Sequence, residues 1–327
     1  MKNIVILNSY TLSNRAAARM VRIKYFFKGL EEEGFRDGED FRTVIIDSND
    51  LEEIQTRLER MDTSGIRLIH AVGSPNAAIA VQFSPEIPVV YYGAHPENVG
   101  REACQKPNCC GMELTLPFSS HYKNFRFIKR LIPGVKRIYV PFYEKTLFCP
   151  EIMKEKYERY RELMKKVVWQ PQDSPYIGYR SLAGLCYIIG VEFFEFLYRD
   201  GGELAEALEE IPPENSLIMP YNDSVYCKDA PSLLLETSRR RKIPLVWNNN
   251  PEAAQLGAVA AIAGCFKESG RQNGILAGKI MKGAHPSELG FQVSTRSFSS
   301  LNLAVAEQMG FHLTRDVVDY FDEVLYD

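Results

Sequence analysis

The sequence predicts an α/β protein of two lobes, each built on a mainly parallel sheet. Three observations carry this. Apolar strand-like runs alternate with helical patterns along the chain. The strands come in two series, and the second repeats features of the first. At 327 residues the chain is too long for one small core, which favours two lobes.

The first series of strands is expected at 2–9, 41–47, 66–72 and 88–92. The second is expected at 137–141, 191–198, 216–220 and 244–247. Helical patterns fall between them at 15–33, 51–61, 150–166 and 203–210. Each strand run is short, apolar and bounded by polar or turn residues, as buried parallel strands are.

The repeat is clearest at two junctions. "IPVVYYGAHPE" (87–97) and "IPLVWNNNPE" (243–252) both read Ile-Pro, an aromatic-tipped apolar strand, a polar turn and Pro-Glu. A strand with a polar end precedes each, "LIHAVGSPN" and "SLIMPYNDS". Between the series, a strand-like 111–116 leads through Pro117 to an amphipathic helix and the next strand, a crossover between lobes. After the second series, 253–282 is expected as one long small-residue helical region. A short strand at 291–295 and a helical "LNLAVAEQMG" follow.

Composition narrows the function classes. Hydrophobic residues make up 45% and charged residues 25%, and the net charge is −3, so nothing points to a nucleic-acid groove or a polybasic membrane patch. The longest apolar stretch, "LCYIIGVEFFEFLY", is interrupted by Glu192 and Glu195 and is too short to span a bilayer. The N-terminus enters a strand-like run at once, without the charged and small-residue regions of a signal peptide. Either the protein is cytosolic, or a leader or upstream segment is absent from this chain.

The seven cysteines, Cys104, Cys109, Cys110, Cys149, Cys186, Cys227 and Cys265, include no Cys-x-x-Cys and are expected to be mostly reduced and buried. Five histidines, His70, His95, His121, His285 and His312, lack metal-ligand spacing. No dinucleotide fingerprint, phosphate loop or nucleophile elbow is present, and no cofactor is expected.

The candidate chemistry lies at strand ends. In open parallel sheets ligands bind at the carboxyl ends of strands, where helices begin with free N–H groups and a partial positive charge. Ser74-Pro75, His95-Pro96 and Asn250-Pro251 each place proline at an expected first helical position, with Ser74 and Asn250 as caps. Asn248 and Asn249 are not needed by a strand, where asparagine is disfavoured, and suit neutral hydrogen bonding to a small polar ligand. Asp223, with Asn222 and Ser224 beside it, is the candidate carboxylate for a ligand ammonium; a helix N-cap is its other reading.

These residues carry a family resemblance. The stretches "FFKGLEEEGFRDGEDF", "HAVGSPNAAIA", "IPVVYYGAHPENVG", "LIPGVKRIYVPFYE", "IMPYNDSVY" and "ESGRQNGILAGKIMKGAHPSEL" occur in the order and spacing of the ABC transporter substrate-binding family whose characterised ligands include aromatic amino acids. The chain resembles that family over nearly its whole length. The resemblance implies a type I periplasmic-binding fold, two Rossmann-like lobes joined by three crossovers. Lobe one would comprise 1–116 and 254–290, and lobe two 117–253 and 291–327. Hinge connections would lie near 114–118, 250–256 and 289–293.

By position, the resemblance places Ser9, Tyr10, Ser74, Pro75, Asn76, Gly93, Ala94, His95, Tyr143, Asn222, Asp223, Ser224, Asn248, Asn249 and Asn250 around the ligand. It further implies a non-enzymatic, monomeric protein outside the cytoplasm that passes a small solute to an ABC permease. Two departures from the family pattern stand out. Residues 167–189 look like an insertion carrying Trp169, Tyr176 and Tyr179, and "NSY" at 8–10 is similar to sensor domains of bacterial signalling proteins. Sensing through an attached signalling module is therefore the alternative to transport. A two-lobed racemase using Cys110 and Cys227 is the enzymatic alternative.

Overall fold

The computed structural model describes residues 2–8, 16–48, 50–93, 108–113, 127–143, 186, 189–220, 229–248, 250, 252–294 and 296–326. The chain divides into two compact units. The first comprises residues 1–115 and 264–296, and the second 116–263 and 297–327. The chain thus passes between units three times, at 115/116, 263/264 and 296/297.

The first unit is a six-stranded sheet in the order β11-β5-β4-β3-β1-β2. Its strands are β1 (Asn3–Asn8), β2 (Arg42–Asp47), β3 (Ile66–Val72), β4 (Val89–Tyr92), β5 (Cys109–Glu113) and β11 (Phe291–Val293). All five neighbouring pairs run parallel. Val5 and Leu7 face one apolar layer with Ile54 and Leu58 of α2 (Leu51–Glu59) and Ala77 and Val81 of α3 (Ser74–Phe83). Ile4 and Ile6 face the other, with Phe26 and Leu30 of α1 (Ala16–Glu32) and Leu276 and Ile280 of a long helix near the chain's end. Burial on both faces is why these strands read as continuous apolar runs.

The second unit holds β6 (Arg137–Tyr143), β7 (Glu192–Tyr198), β8 (Ser216–Ile218), β9 (Val246–Asn248), β10 (Ala260–Gly264), β12 (Ser297–Asn302) and β13 (Glu323–Leu325). The orders are β7-β6-β8 and β13-β12-β10-β9. Ile218 N donates to Pro244 O at 2.9 Å and Asn248 N to Pro220 O at 3.0 Å, which joins the two runs between β8 and β9. Helices α4 (Gly201–Glu209) and α5 (Ala230–Arg241) cover one face together with Trp247. Asp200 caps α4 by accepting from Glu203 N at 3.0 Å.

The two sheets repeat one topology. In the first unit the order of the first five strands is 2-1-3-4-5, and in the second β7-β6-β8-β9-β10 reproduces it. The Ile-Pro strands occupy the fourth place in each. Pro88 O accepts from Ile69 N at 2.9 Å, as Pro244 O does from Ile218 N at 2.9 Å. Each proline stands just ahead of its strand, where its missing N–H breaks no ladder bond. Tyr91 and Trp247, the aromatic tips, are fully buried in their respective units.

The expectation of one helical region over 253–282 is corrected. Residues 252–257 are turns, β10 follows, and only α6 (Phe266–Met281) is helix. The boundaries shift accordingly. Residues 254–263 belong to the second unit because β10 pairs with β9, and 291–296 to the first because β11 pairs with β5. The second and third passages lie at 263/264 and 296/297, not at 250–256 and 289–293. The expected helix at 150–166 and the insertion at 167–189, apart from residues 186 and 189, lie outside the described residues. Four short elements complete the fold among the described residues: α7 (Pro286–Leu289), α8 (Leu303–Gln308), α9 (Arg315–Val318) and a 3-10 turn at Thr63–Gly65.

Helices α1 and α6 pack backbone to backbone. A Cβ on Gly29 would lie 2.1 Å from Arg271 O, and one on Gly274 would lie 2.0 Å from Phe26 O. Ion pairs of Arg271 with Glu32 and of Lys282 with Glu33 (2.7 Å) close the rims of this contact.

Candidate functional site

Topology selects the strand ends. In a 2-1-3-4-5 sheet the chain reverses direction of winding between strands 1 and 3, and the crevice beyond their carboxyl ends is the usual ligand position. In the first unit these are the ends of β1 and β3, and in the second those of β6 and β8.

The β1 end is Asn8, only 4% exposed. Its Nδ2 donates to Asp47 Oδ1 at 3.0 Å, across the register pair that ends β1 and β2. The β3 end leads through Gly73 into α3. The expected cap is corrected here. Gly73, not Ser74, is the N-cap, with φ +85°, a conformation that favours glycine. Glycine brings no side chain to the first-turn N–H groups of α3, which leaves that turn open to an anion. Pro75 stands in the first turn as expected. Asn76 is buried and donates through Nδ2 to Val72 O at 2.7 Å, which ties the helix start to the strand end. Gly93 follows β4 with φ +73°, and its N–H donates to Met112 O at 2.8 Å.

In the second unit, β6 ends at half-buried Tyr143, whose ring lies 5.4 Å from that of Tyr198. The β9 end carries Asn248 and, two residues on, Asn250. Both are buried, at 5% and 6% exposure. The Asn248 backbone N–H is used by Pro220 O. Among the described residues, neither asparagine side chain makes a hydrogen bond. Asn250 does not cap a helix, because turns and not a helix follow it; its carbonyl accepts from Ala253 N at 3.2 Å. A nearby contrast is Asn302, which donates to Ala254 O at 3.0 Å and caps α8 by accepting from Val305 N at 2.9 Å.

Ser9, Tyr10, Ala94, His95, Asn222, Asp223, Ser224 and Asn249 lie outside the described residues, as does the side chain of Ser74. Asn8 was missed in the sequence because it closes an apolar strand and reads as strand. Among the described residues, no group of three or more His, Cys, Asp or Glu could hold a metal ion. No helix among them is long and apolar enough to cross a membrane.

The cysteine pair needed for a racemase is not supported. Cys110 is fully buried in β5, and burial pushes its thiol up to about 12, the opposite of an activated base. Cys227 lies outside the described residues.

Residues 182–325 match the family model for ABC transporter substrate binding proteins. The resemblance read from the sequence is thus to the family that this model recognises. No curated protein matches the chain in sequence. Solved structures share the fold along the chain's length. The ABC domain in complex with L-Trp from Streptococcus pneumoniae is 17% identical, with a TM-score of 0.74 over 99% of each chain. A conserved domain protein from Vibrio cholerae is 16% identical, with a TM-score of 0.73 over 99% of this chain and all of the other. The ligand-free, open form of a substrate binding protein with adhesive properties from Clostridium difficile is 17% identical, with a TM-score of 0.70 over the whole of both chains. The fold shared with these structures is the type I periplasmic-binding fold.

Proposed function

We propose that this chain, which carries the ABC transporter substrate-binding match in residues 182–325, binds an amino acid or a similar small zwitterion and delivers it to an ABC permease. The observation that carries the reading is the pair of buried asparagines at the β9 end, Asn248 and Asn250, whose side chains make no hydrogen bond among the described residues. A small polar ligand at this strand end would hydrogen-bond both amides.

The remaining roles follow chemistry. The first turn of α3 suits the ligand carboxylate, with Ser74, Asn76 and the start after Pro75 assigned to it. Asp223 is assigned the ammonium. Ser9, Tyr10, Gly93, Ala94, His95, Tyr143, Asn222, Ser224 and Asn249 complete the proposed contacts. The solved relative with L-Trp makes aromatic amino acids the first class to try. The protein acts as a monomer outside the cytoplasm, without a catalytic step.

Native mass spectrometry of freshly purified protein tests this. The expected spectrum shows one small molecule per chain, released on collisional activation, with the mass of an amino acid or close derivative. A bare chain whose melting temperature no L-amino acid raises would overturn the reading.

A further inference from the structure

The Asn8–Asp47 pair has an orientation that chemistry dictates. A carboxylate accepts hydrogen bonds and cannot donate them, so the half of the Asn8 amide that faces Asp47 must be the nitrogen. The carbonyl oxygen, Oδ1, is therefore turned away from Asp47, and no donor among the described residues reaches it. The residue is 4% exposed and sits on the first strand of the switch point. At this strand end, a side chain more than nine-tenths buried thus has its nitrogen held by Asp47 and its oxygen without a partner among the described residues.

The neighbouring strand supplies the complement. β1 and β3 are adjacent and parallel, with Leu7 opposite Ala71, so Asn8 ends level with Val72. Adjacent strands lie about 4.8 Å apart. One end thus presents a fixed acceptor, Asn8 Oδ1, and the next presents the uncapped start of α3. The α-ammonium and α-carboxylate of an amino acid are joined through a single carbon, so hydrogen bonds from one small molecule can reach both strand ends.

We infer that Asn8 Oδ1 accepts one of the three hydrogen bonds that the ligand's α-ammonium can donate, leaving another for Asp223, that the start of α3 takes the α-carboxylate, and that Asp47 is a positioning residue holding the Asn8 amide in this orientation. The assignment rests on the amino-acid reading above and adds to it which chemical end of the ligand the first unit recognises. The side chain of the amino acid is then left to other residues.

Titration calorimetry with the twenty L-amino acids identifies the tightest binder. That amino acid and its des-amino analogue, in which hydrogen replaces the α-ammonium, are then titrated into wild type, Asn8→Ala and Asp47→Asn. Loss of a hydrogen bond to a charged group should weaken the amino acid about ten- to a hundredfold in Asn8→Ala. The des-amino analogue should bind wild type and Asn8→Ala within about twofold of each other, since it lacks the group that Asn8 contacts. Asp47→Asn keeps shape but lets the Asn8 amide turn over, so the preference for the amino acid over its des-amino analogue should fall severalfold. Equal weakening of both compounds by Asn8→Ala would show a merely structural role and overturn the assignment. Should Asn8→Ala fail to fold, an unchanged preference in Asp47→Asn overturns it equally. Binding of none of the twenty by wild type would overturn the amino-acid reading itself, and this assignment with it.

Discussion

His70 lies face to face on Phe26, with ring centroids 4.0 Å apart and planes 7° from parallel. The stack joins β3 to α1 inside the first unit. His70 Nδ1 is 3.1 Å from Val90 O and 3.2 Å from Asn273 Nδ2 of α6; with the proton on Nδ1 it donates to Val90 O and cannot also accept from the Asn273 amide. Burial outweighs the Val90 hydrogen bond and brings the imidazole down to about 4.

This makes His70 an acid-sensitive point. Its folded value lies below the unfolded value of about 6.5, so the folded state refuses a proton that the unfolded state takes. The stability is whole above pH 6.5 and is lost as pH falls towards 4. The loss should be roughly 2–4 kcal/mol. Urea midpoints at pH 7.5, 5.5 and 4.5 check it. His70→Leu should lose less than wild type over that range, whereas an equal loss would remove His70 from the acid response.

The α1–α6 contact should tolerate no side chain at its closest approach. A methyl at Gly29 or Gly274 meets a carbonyl oxygen, which a rotamer change cannot move aside. Alanine gains about 1 kcal/mol of helix propensity but forces the helices apart, so each substitution should cost about 1–3 kcal/mol net. The double substitution should cost less than the sum, because one separation relieves both clashes. Denaturant midpoints of the three variants decide this, and a stabilised Gly274→Ala would contradict the packing.

Among the described cysteines, native alkylation should single out Cys265. Cys109, Cys110 and Cys186 are buried, while Cys265 is only partly buried ahead of α6. Burial also raises the Cys110 and Cys186 thiols, which lowers their thiolate fraction. Peptide mass spectrometry after brief iodoacetamide treatment should find Cys265 modified well before these three. Modification of Cys110 at the rate of Cys265 would contradict the burial.

Much of the fold was legible because buried parallel strands are short apolar runs with turn residues at their ends. The two Ile-Pro junctions were legible for the same reason, and they occupy equivalent places in the two sheets. β10 was not legible. Its "AAIAG" is buried by alanine and glycine rather than by branched residues, so its pattern reads as helix. β12 and β13 are polar or three residues long. The cap at α3 was assigned to Ser74 on side-chain chemistry, but the left-handed backbone at Gly73 decides it. Asn8 escaped notice because its meaning depends on Asp47, 39 residues away, and only strand pairing brings the two together.

Charge should separate the proposed contacts. On the proposed assignment, Asp223→Ala would remove a charge-assisted hydrogen bond worth about 1.5–3 kcal/mol and should weaken ligand binding about ten- to a hundredfold. Asn248→Ala removes a neutral bond and should cost about 0.5–1.5 kcal/mol. Calorimetry on both variants checks the ranking. Equal, small losses would mean that Asp223 only caps a helix.

The central claim is that the strand ends hold a zwitterionic solute, and titration calorimetry of wild type beside an Asn248→Ala, Asn250→Ala double variant tests it most directly. With the twenty L-amino acids as titrants, wild type should bind at least one at a single site per chain. The double variant should bind it about five- to a hundredfold more weakly, the loss of two neutral hydrogen bonds, while keeping its far-ultraviolet dichroism. No binding by wild type, or an affinity unchanged in the double variant, would contradict the account.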